Sequence, residues 1–107
     1  MADKLPSFDI KRAGELDTFS FDLVNELGGE TIVGATWHCV VSSHSPVDDP
    51  AAAAMIYNAA SNLGNKTFQQ IQNGVSGCLY VVTAVVTTSG GRTLEPTATL
   101  LVLDQDQ

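Results

Sequence analysis

The alternation of apolar and polar residues predicts β-strands along most of the chain. Phe19 and Phe21 alternate with Ser20 and Asp22, which is typical of a strand with one buried face. The run 78–88 is rich in β-branched residues and apolar on both faces, as expected of a central strand. Further strands are predicted at 31–33 continuing into 36–41, at 55–59, at 67–72, at 92–94 and at 97–102.

Turn signals separate these strands at intervals of about ten residues. Ser89-Gly90-Gly91 predicts a hairpin between the run 78–88 and its return strand. Pro96 interrupts the return strand and predicts a bulge or an edge position, because proline cannot donate to a β-ladder. The remaining connections are predicted as a helical turn at 23–29, a loop at 42–50, a turn at 61–66 and a tight connection at 73–77.

Residues 51–60 fit two interpretations. The alanines at 51–54 have high helix propensity and favour a short helix. The strands predicted on either side favour a strand instead. We predict a strand at 55–59.

Three residues suggest what kind of β-protein this is. Trp37 and Cys39 lie two apart on one strand, so they share a face and are predicted to lie in the core. Tyr80 opens a late strand just after a glycine-containing turn, like the tyrosine corner of immunoglobulin-like (Ig-like) sandwiches, whose hydroxyl bonds nearby backbone. The predicted structural core consists of Phe19, Phe21, Trp37, Cys39, Tyr80 and Val82.

These elements predict an all-β fold, a single Ig-like antiparallel β-sandwich of about seven strands over residues 8–103. Residues 1–7 are expected to form a flexible N-terminal arm and residues 104–107 a C-terminal tail. Cys39 lies on the tryptophan strand and Cys78 precedes Tyr80, which is not the arrangement of the Ig disulfide. We therefore expect two buried free thiols.

The net charge of the chain argues against some classes of binding partner. The 107 residues carry a net charge of −7, which argues against binding nucleic acid or an anionic membrane, since both need clustered Lys and Arg. The first six residues contain no apolar run of the kind found in signal peptides, and no apolar stretch is long enough to span a bilayer. We expect synthesis in the cytoplasm.

Candidate chemistry is sparse. His38 and His44 with Asp48 and Asp49 match no metal-ligand spacing. Ser42 and Ser43 precede His44 directly, but adjacent loop residues rarely converge as a nucleophile and its base. Neighbours in a strand such as His38 and Cys39 point to opposite faces. We expect no catalytic residue, metal or cofactor, and a protein that is not an enzyme.

The order of these features resembles a known family. The pieces that carry the resemblance are Phe8-Asp9-Ile10-Lys11, residues 15–22, residues 31–37, Asp49-Pro50-Ala51, residues 77–83 and residues 87–94. Over about residues 8–102 the chain resembles small virion proteins of tailed bacteriophages known as fibre–tail adaptor proteins. The resemblance implies an Ig-like sandwich, no active site, and a structural role on the head, neck or tail that could include connecting fibres to it.

We expect the partners to be other virion proteins, such as capsid, neck, tail or fibre proteins. Multiple copies of the chain are expected to bind them on a symmetric assembly. A capsid decoration protein is the alternative within this class. A carbohydrate-binding module is the alternative from another class, and it requires at least two of Trp37, Tyr57 and Tyr80 to be exposed on one face. Besides the N-terminal arm, the predicted contact residues are His44, Asp48 and Asp49 in one loop and Ser89, Gly90 and Arg92 in the hairpin.

Overall fold

The computed structural model describes residue 8 and residues 10–103. The expected arm at 1–7 and tail at 104–107 lie outside the described residues. The strands are β1 (Lys11–Arg12), β2 (Asp17–Asp22), β3 (Ile32–Val41), β4 (Ile56–Leu63), β5 (Lys66–Ile71), β6 (Leu79–Thr88), β7 (Thr93–Leu94) and β8 (Thr97–Leu103). A helical turn, α1 (Val24–Leu27), follows β2, and a 3₁₀ turn (Ala52–Met55) precedes β4.

The first sheet has the order β1-β8-β6-β3, with β7 also paired to β6. Strands β7 and β8 lie end to end along the same side of β6 as one strand interrupted at Pro96. The carbonyl of Pro96 still accepts a hydrogen bond from the Ala84 amide, at 3.0 Å. The predicted irregularity at Pro96 is therefore present, and it costs the ladder little because this proline is used only as an acceptor.

The second sheet has the antiparallel order β2-β5-β4. Together the two sheets give the strand order of Ig constant domains, with β2-β5-β4 standing for strands B-E-D and β8-β6-β3 for G-F-C. The predicted all-β sandwich is confirmed. One pairing corrects the antiparallel expectation, since β1 runs parallel to β8.

The predicted turn at 61–66 is wrong in extent. Strand β4 continues through Leu63, and only Gly64 and Asn65 turn the chain into β5. The end of β4, Ser61 to Leu63, is exposed on both faces, so no alternation marked it as a strand. The alanine-rich segment before it divides as both interpretations suggested, into a 3₁₀ turn and then a strand that begins at Ile56.

A bulge distorts the middle of β4. Tyr57 pairs with Gln70 but Ser61 pairs with Phe68, so β4 holds two more residues than β5 over this stretch. Asn58 takes a left-handed conformation there, with φ of 65°. The Gln69 side chain is buried, and its amide nitrogen donates to the carbonyls of Tyr57 (2.8 Å) and Asn58 (3.0 Å). A side-chain amide thus replaces the backbone partners that the bulge removes.

We expect Gln69→Ala to lower the free energy of unfolding by about 1.5 kcal/mol, because it leaves the carbonyls of Tyr57 and Asn58 in the bulge without this donor. Gln70→Ala, on the outer side of the same strand, is the matched control. It removes only an exposed bond from the Asn58 side-chain amide (3.0 Å) and should cost less than about 0.5 kcal/mol. Urea unfolding followed by circular dichroism measures both values. Equal losses in the two variants would show that Gln69 does not support the bulge.

The core lies between the two sheets and is centred on aromatic rings. Trp37 stacks on Phe8 at a centroid distance of 6.2 Å and contacts Phe21 at 4.8 Å. Its indole nitrogen donates to the Thr67 hydroxyl at 3.1 Å, which joins β3 of one sheet to β5 of the other. The buried apolar residues on the strands also include Cys39, Ile71, Tyr80, Val82, Ala84, Val86, Ala98, Leu100 and Val102.

Lys11 fastens the short strand β1 to the rest of the fold. Its side chain is fully buried, and its ammonium group donates to the carbonyls of Asn73 (2.6 Å) and Arg12 (2.9 Å). Burial lowers the pKa of Lys11, while the charges of Asp17 and Glu15 act in the opposite direction. Strand β1 was not predicted, because two residues carry no readable alternation.

Candidate functional site

The outer face of the first sheet is a regular surface that no second layer among the described residues covers. Along β6, every second residue from Tyr80 to Thr88 is buried, so the residues between them point away from the core. The same alternation runs through β8 and the second half of β3. We call this surface the outer face; its residues are Thr36, His38, Val40, Leu79, Val81, Thr83, Val85, Thr87, Thr97, Thr99, Leu101 and Leu103.

Across the outer face, side chains of similar shape lie opposite one another on neighbouring strands. Val81 of β6 lies opposite Val40 on one side and Thr99 on the other, and Leu79 lies opposite Leu101. The hydroxyls of Thr83 and Thr97 approach to 3.2 Å, so part of the polar surface is satisfied internally. Branched and apolar side chains thus form continuous rows.

On β3, β6 and β8 the outer face carries no Asp, Glu, Lys or Arg, although the chain has 12 acidic and 5 basic residues. Arg12 of β1, which is in register with Leu103, stands at the edge of this surface. On the three strands, His38 is the one titratable side chain of the outer face, and it is exposed. Strands without charged side chains can be desolvated in a contact with another protein without burying an unpaired charge. Such a face is suited to docking and offers no convergent group for catalysis.

The predicted contact loops do not form one surface. Val41, where the loop 42–50 begins, lies opposite Tyr80 at one end of β6. Ser89 and Gly90 follow Thr88 at the other end of that ten-residue strand. The two loops therefore lie at opposite ends of the sandwich.

In the first of these loops the structure separates the three predicted contact residues. His44 and Asp48 are exposed, but Asp49 is only 8% exposed. The Asp49 carboxylate accepts hydrogen bonds from the Tyr80 hydroxyl at 2.7 Å and from the Ala51 amide at 2.9 Å. Assigning Asp49 to the surface is corrected by this geometry, since its side chain holds the loop onto the core.

The hairpin is fixed by an arginine clamp. Arg92 donates from Nη2 to the carbonyls of Glu26 (2.8 Å) and Leu27 (3.0 Å) at the end of α1, and from Nε to the Glu30 carboxylate (3.1 Å). The Thr88 hydroxyl and Arg92 hold the pKa of Glu30 below its usual value. Gly90 lies against the Glu30 carboxylate, where a Cβ atom has no room. Ser89 and Gly90 are exposed, but the hairpin is bound to α1 and is not a free arm.

The aromatic residues do not form a glycan platform. Trp37 is 3% exposed and Tyr80 is fully buried, whereas Tyr57 is 40% exposed. Two exposed aromatic side chains on one face were the requirement of the carbohydrate-binding hypothesis. Because two of its three candidates are buried, that hypothesis loses its basis.

The cysteine and histidine side chains do not converge on a common site. Cys39 and Cys78 are both buried and free, and burial, with the charge of Asp49 and Cys78 nearby, raises the pKa of Cys39 to about 12. His38 points to the outer face, on the opposite side of β3 from Cys39. Within the described part of the chain, no three His, Cys, Asp or Glu side chains cluster in a way that could hold a metal.

A family model matches residues 11–101, which include β1 to β7 and most of β8, and its description is podophage GP4 fiber-tail adaptor protein gp77. The chain belongs to this family. The match confirms the resemblance drawn from the order of strands and turns, and with it a structural phage virion protein. A structural adaptor family speaks against an enzyme. No curated protein matches the chain.

Membership in the gp77 family implies binding to other virion proteins. No helix in the described residues is long and apolar enough to cross a membrane. The outer face of this gp77-family chain was not among the predicted contact residues, yet a signal for it was present. A strand apolar on both faces indicates cover on both sides, and among the described residues β6 has a second layer on one side only.

Proposed function

We propose that this protein is a fibre–tail adaptor that docks on a tail protein through the outer face of its first sheet. The observation that carries the proposal is the outer face itself, which is rich in Val, Leu and Thr and has no charged side chain on β3, β6 or β8, in a chain of net charge −7. An acidic protein repels other acidic surfaces. The desolvation free energy of a close contact is therefore lowest where no carboxylate is buried.

The size of the outer face supports attachment in several copies. Three strands spaced about 4.8 Å apart and about 30 Å long present on the order of 400 Å². A standard interface uses about 800 Å² on each partner. One such contact is therefore weak, and a symmetric ring of copies would gain its strength from multivalency.

The test is a charge placed on the outer face. Val40 is 56% exposed, so Val40→Asp leaves the core intact, but docking would bury an unpaired carboxylate. We expect purified particles assembled with this variant to contain at least about tenfold less of the chain by quantitative mass spectrometry. Val24→Asp is the matched control, because Val24 lies on α1 and is 52% exposed, and it should be incorporated at the normal level.

Two outcomes would contradict the proposal. Normal incorporation of Val40→Asp would remove the outer face as the docking surface. Recovery of the chain on isolated heads but not on isolated tails would instead support a capsid decoration protein.

A further inference from the structure

The second sheet has an open edge at β2, and we propose that this edge accepts an extended segment of the fibre protein as an added antiparallel strand. The inference rests on the proposed adaptor function, which requires a second partner beyond the tail. In Ig constant domains the sheet that contains strands B, E and D continues to a strand A beside B. Here β1 pairs with β8 instead, and among the described residues nothing pairs with the far side of β2.

The register of β2 shows which backbone groups are free to bond a new strand. The Leu23 amide donates to the Asn65 carbonyl at 2.8 Å, next to the paired residues Asp22 and Lys66. Hydrogen-bonded pairs alternate along an antiparallel ladder. The backbone groups of Thr18, Ser20 and Asp22 therefore point away from β5, and all three residues are exposed.

A groove of about 330 Å³ runs along this edge and supplies side-chain contacts. It is lined by Phe8, Ile10, Asp17, Thr18, Phe19 and Ser20. Ile10 is 55% exposed and Phe19 is partly buried, so apolar side chains line part of a mostly polar groove beside unpaired backbone. This combination is what strand addition uses: backbone bonds give affinity and alternate side chains fill the groove.

Charge identifies the occupant as a different protein and not a second copy. Asp17 and Asp22 stand at the two ends of β2, and the strand carries no basic residue. A ladder of two β2 strands would bring four aspartates and no basic residue together, which is unfavourable. A fibre segment with Lys or Arg opposite these aspartates gains from the same charges.

Proline substitutions test the edge without disturbing the ladder of the sheet. Ser20→Pro removes an amide that points outward, so the β2–β5 bonds survive and an added strand loses a donor and meets the proline ring. We expect particles with Ser20→Pro to keep the chain at the normal level but to carry at least about tenfold less fibre protein. Asn62→Pro is the matched control, because its pair with Thr67 lies between hydrogen-bonded pairs on the opposite edge of the same sheet.

The result separates this inference from the proposed function. Absence of the wild-type chain from particles would overturn the adaptor function, whereas normal fibre content with Ser20→Pro overturns only the strand addition. Loss of both the chain and the fibre from Ser20→Pro particles would assign β2 to the tail contact and overturn the assignment to the fibre. Ser20→Pro could also lower the melting temperature of the full chain but have no effect in a chain that lacks residues 2–7. That result would overturn the proposal and identify the chain's own N-terminal residues as the occupant of the edge.

Discussion

Replacing Trp37 by alanine is expected to lower the free energy of unfolding by about 4 kcal/mol. This is a large share of the roughly 5–15 kcal/mol that stabilises a typical domain. The indole is 3% exposed, packs against Phe8 and Phe21, and donates to Thr67 across the two sheets. The variant loses both aromatic packing and the polar link between the layers. Because Trp37 is the only tryptophan, urea unfolding should be followed by circular dichroism.

Phenylalanine at the same position separates packing from hydrogen bonding. Trp37→Phe keeps most of the buried ring and should cost about 2 kcal/mol, since it also leaves the buried Thr67 hydroxyl without its donor. Thr67→Val should be destabilising in the wild-type chain and nearly neutral in Trp37→Phe, because the second change removes a hydroxyl that is already unpaired. Equal costs of Thr67→Val in both backgrounds would show that the hydrogen bond does not couple the sheets.

The parts of the fold that follow from side-chain periodicity were predictable from the sequence. Trp37 and Cys39 alternate with exposed neighbours along β3, and Tyr80 takes the position of a tyrosine corner. Such positions are decided by local alternation and by one turn, both of which the sequence displays.

The parts that depend on distant pairing were not predictable. The β4 bulge exists because Gln69 of the neighbouring strand bonds the carbonyls that the bulge exposes, and no local pattern announces that contact. Asp49 looked like a loop charge for the same reason, since its partner Tyr80 is 31 residues away. Polar side chains of this kind are assigned to the core or the surface only by the tertiary fold.

The two candidate surfaces were likewise predictable from the sequence only in part. The apolar character of both faces of β6 was visible in the sequence, but which face lacks cover depends on where the second sheet packs. The open edge of β2 depends on the first strand pairing with β8 in place of β2. An adaptor that docks by a sheet face and captures a strand at the edge of the other sheet would hold its two partners on different sides of the sandwich.

Replacing Tyr80 by phenylalanine is expected to lower the free energy of unfolding by about 3 kcal/mol, although it removes a single oxygen atom. The Val75 amide donates to that oxygen at 2.9 Å, and the hydroxyl donates to Asp49 at 2.7 Å. Burial, reinforced by the bond to Asp49, raises the pKa of Tyr80 far above its usual value, so the hydroxyl remains a donor at neutral pH. The variant leaves the Val75 amide and the nearly buried Asp49 carboxylate without this partner.

Asp49→Asn shows how much of that loss comes from the charge. The amide keeps an acceptor for the Tyr80 hydroxyl but carries no charge, so Tyr80→Phe should cost about 1 kcal/mol less in Asp49→Asn than in the wild-type chain. Both variants are compared by urea unfolding, and hydrogen exchange of the Val75 amide reports the local effect. An unchanged cost of Tyr80→Phe would mean that the hydroxyl acts only through Val75. In that case the loop 42–50 would not depend on the Tyr80 hydroxyl, and its exchange rates should not respond to Tyr80→Phe.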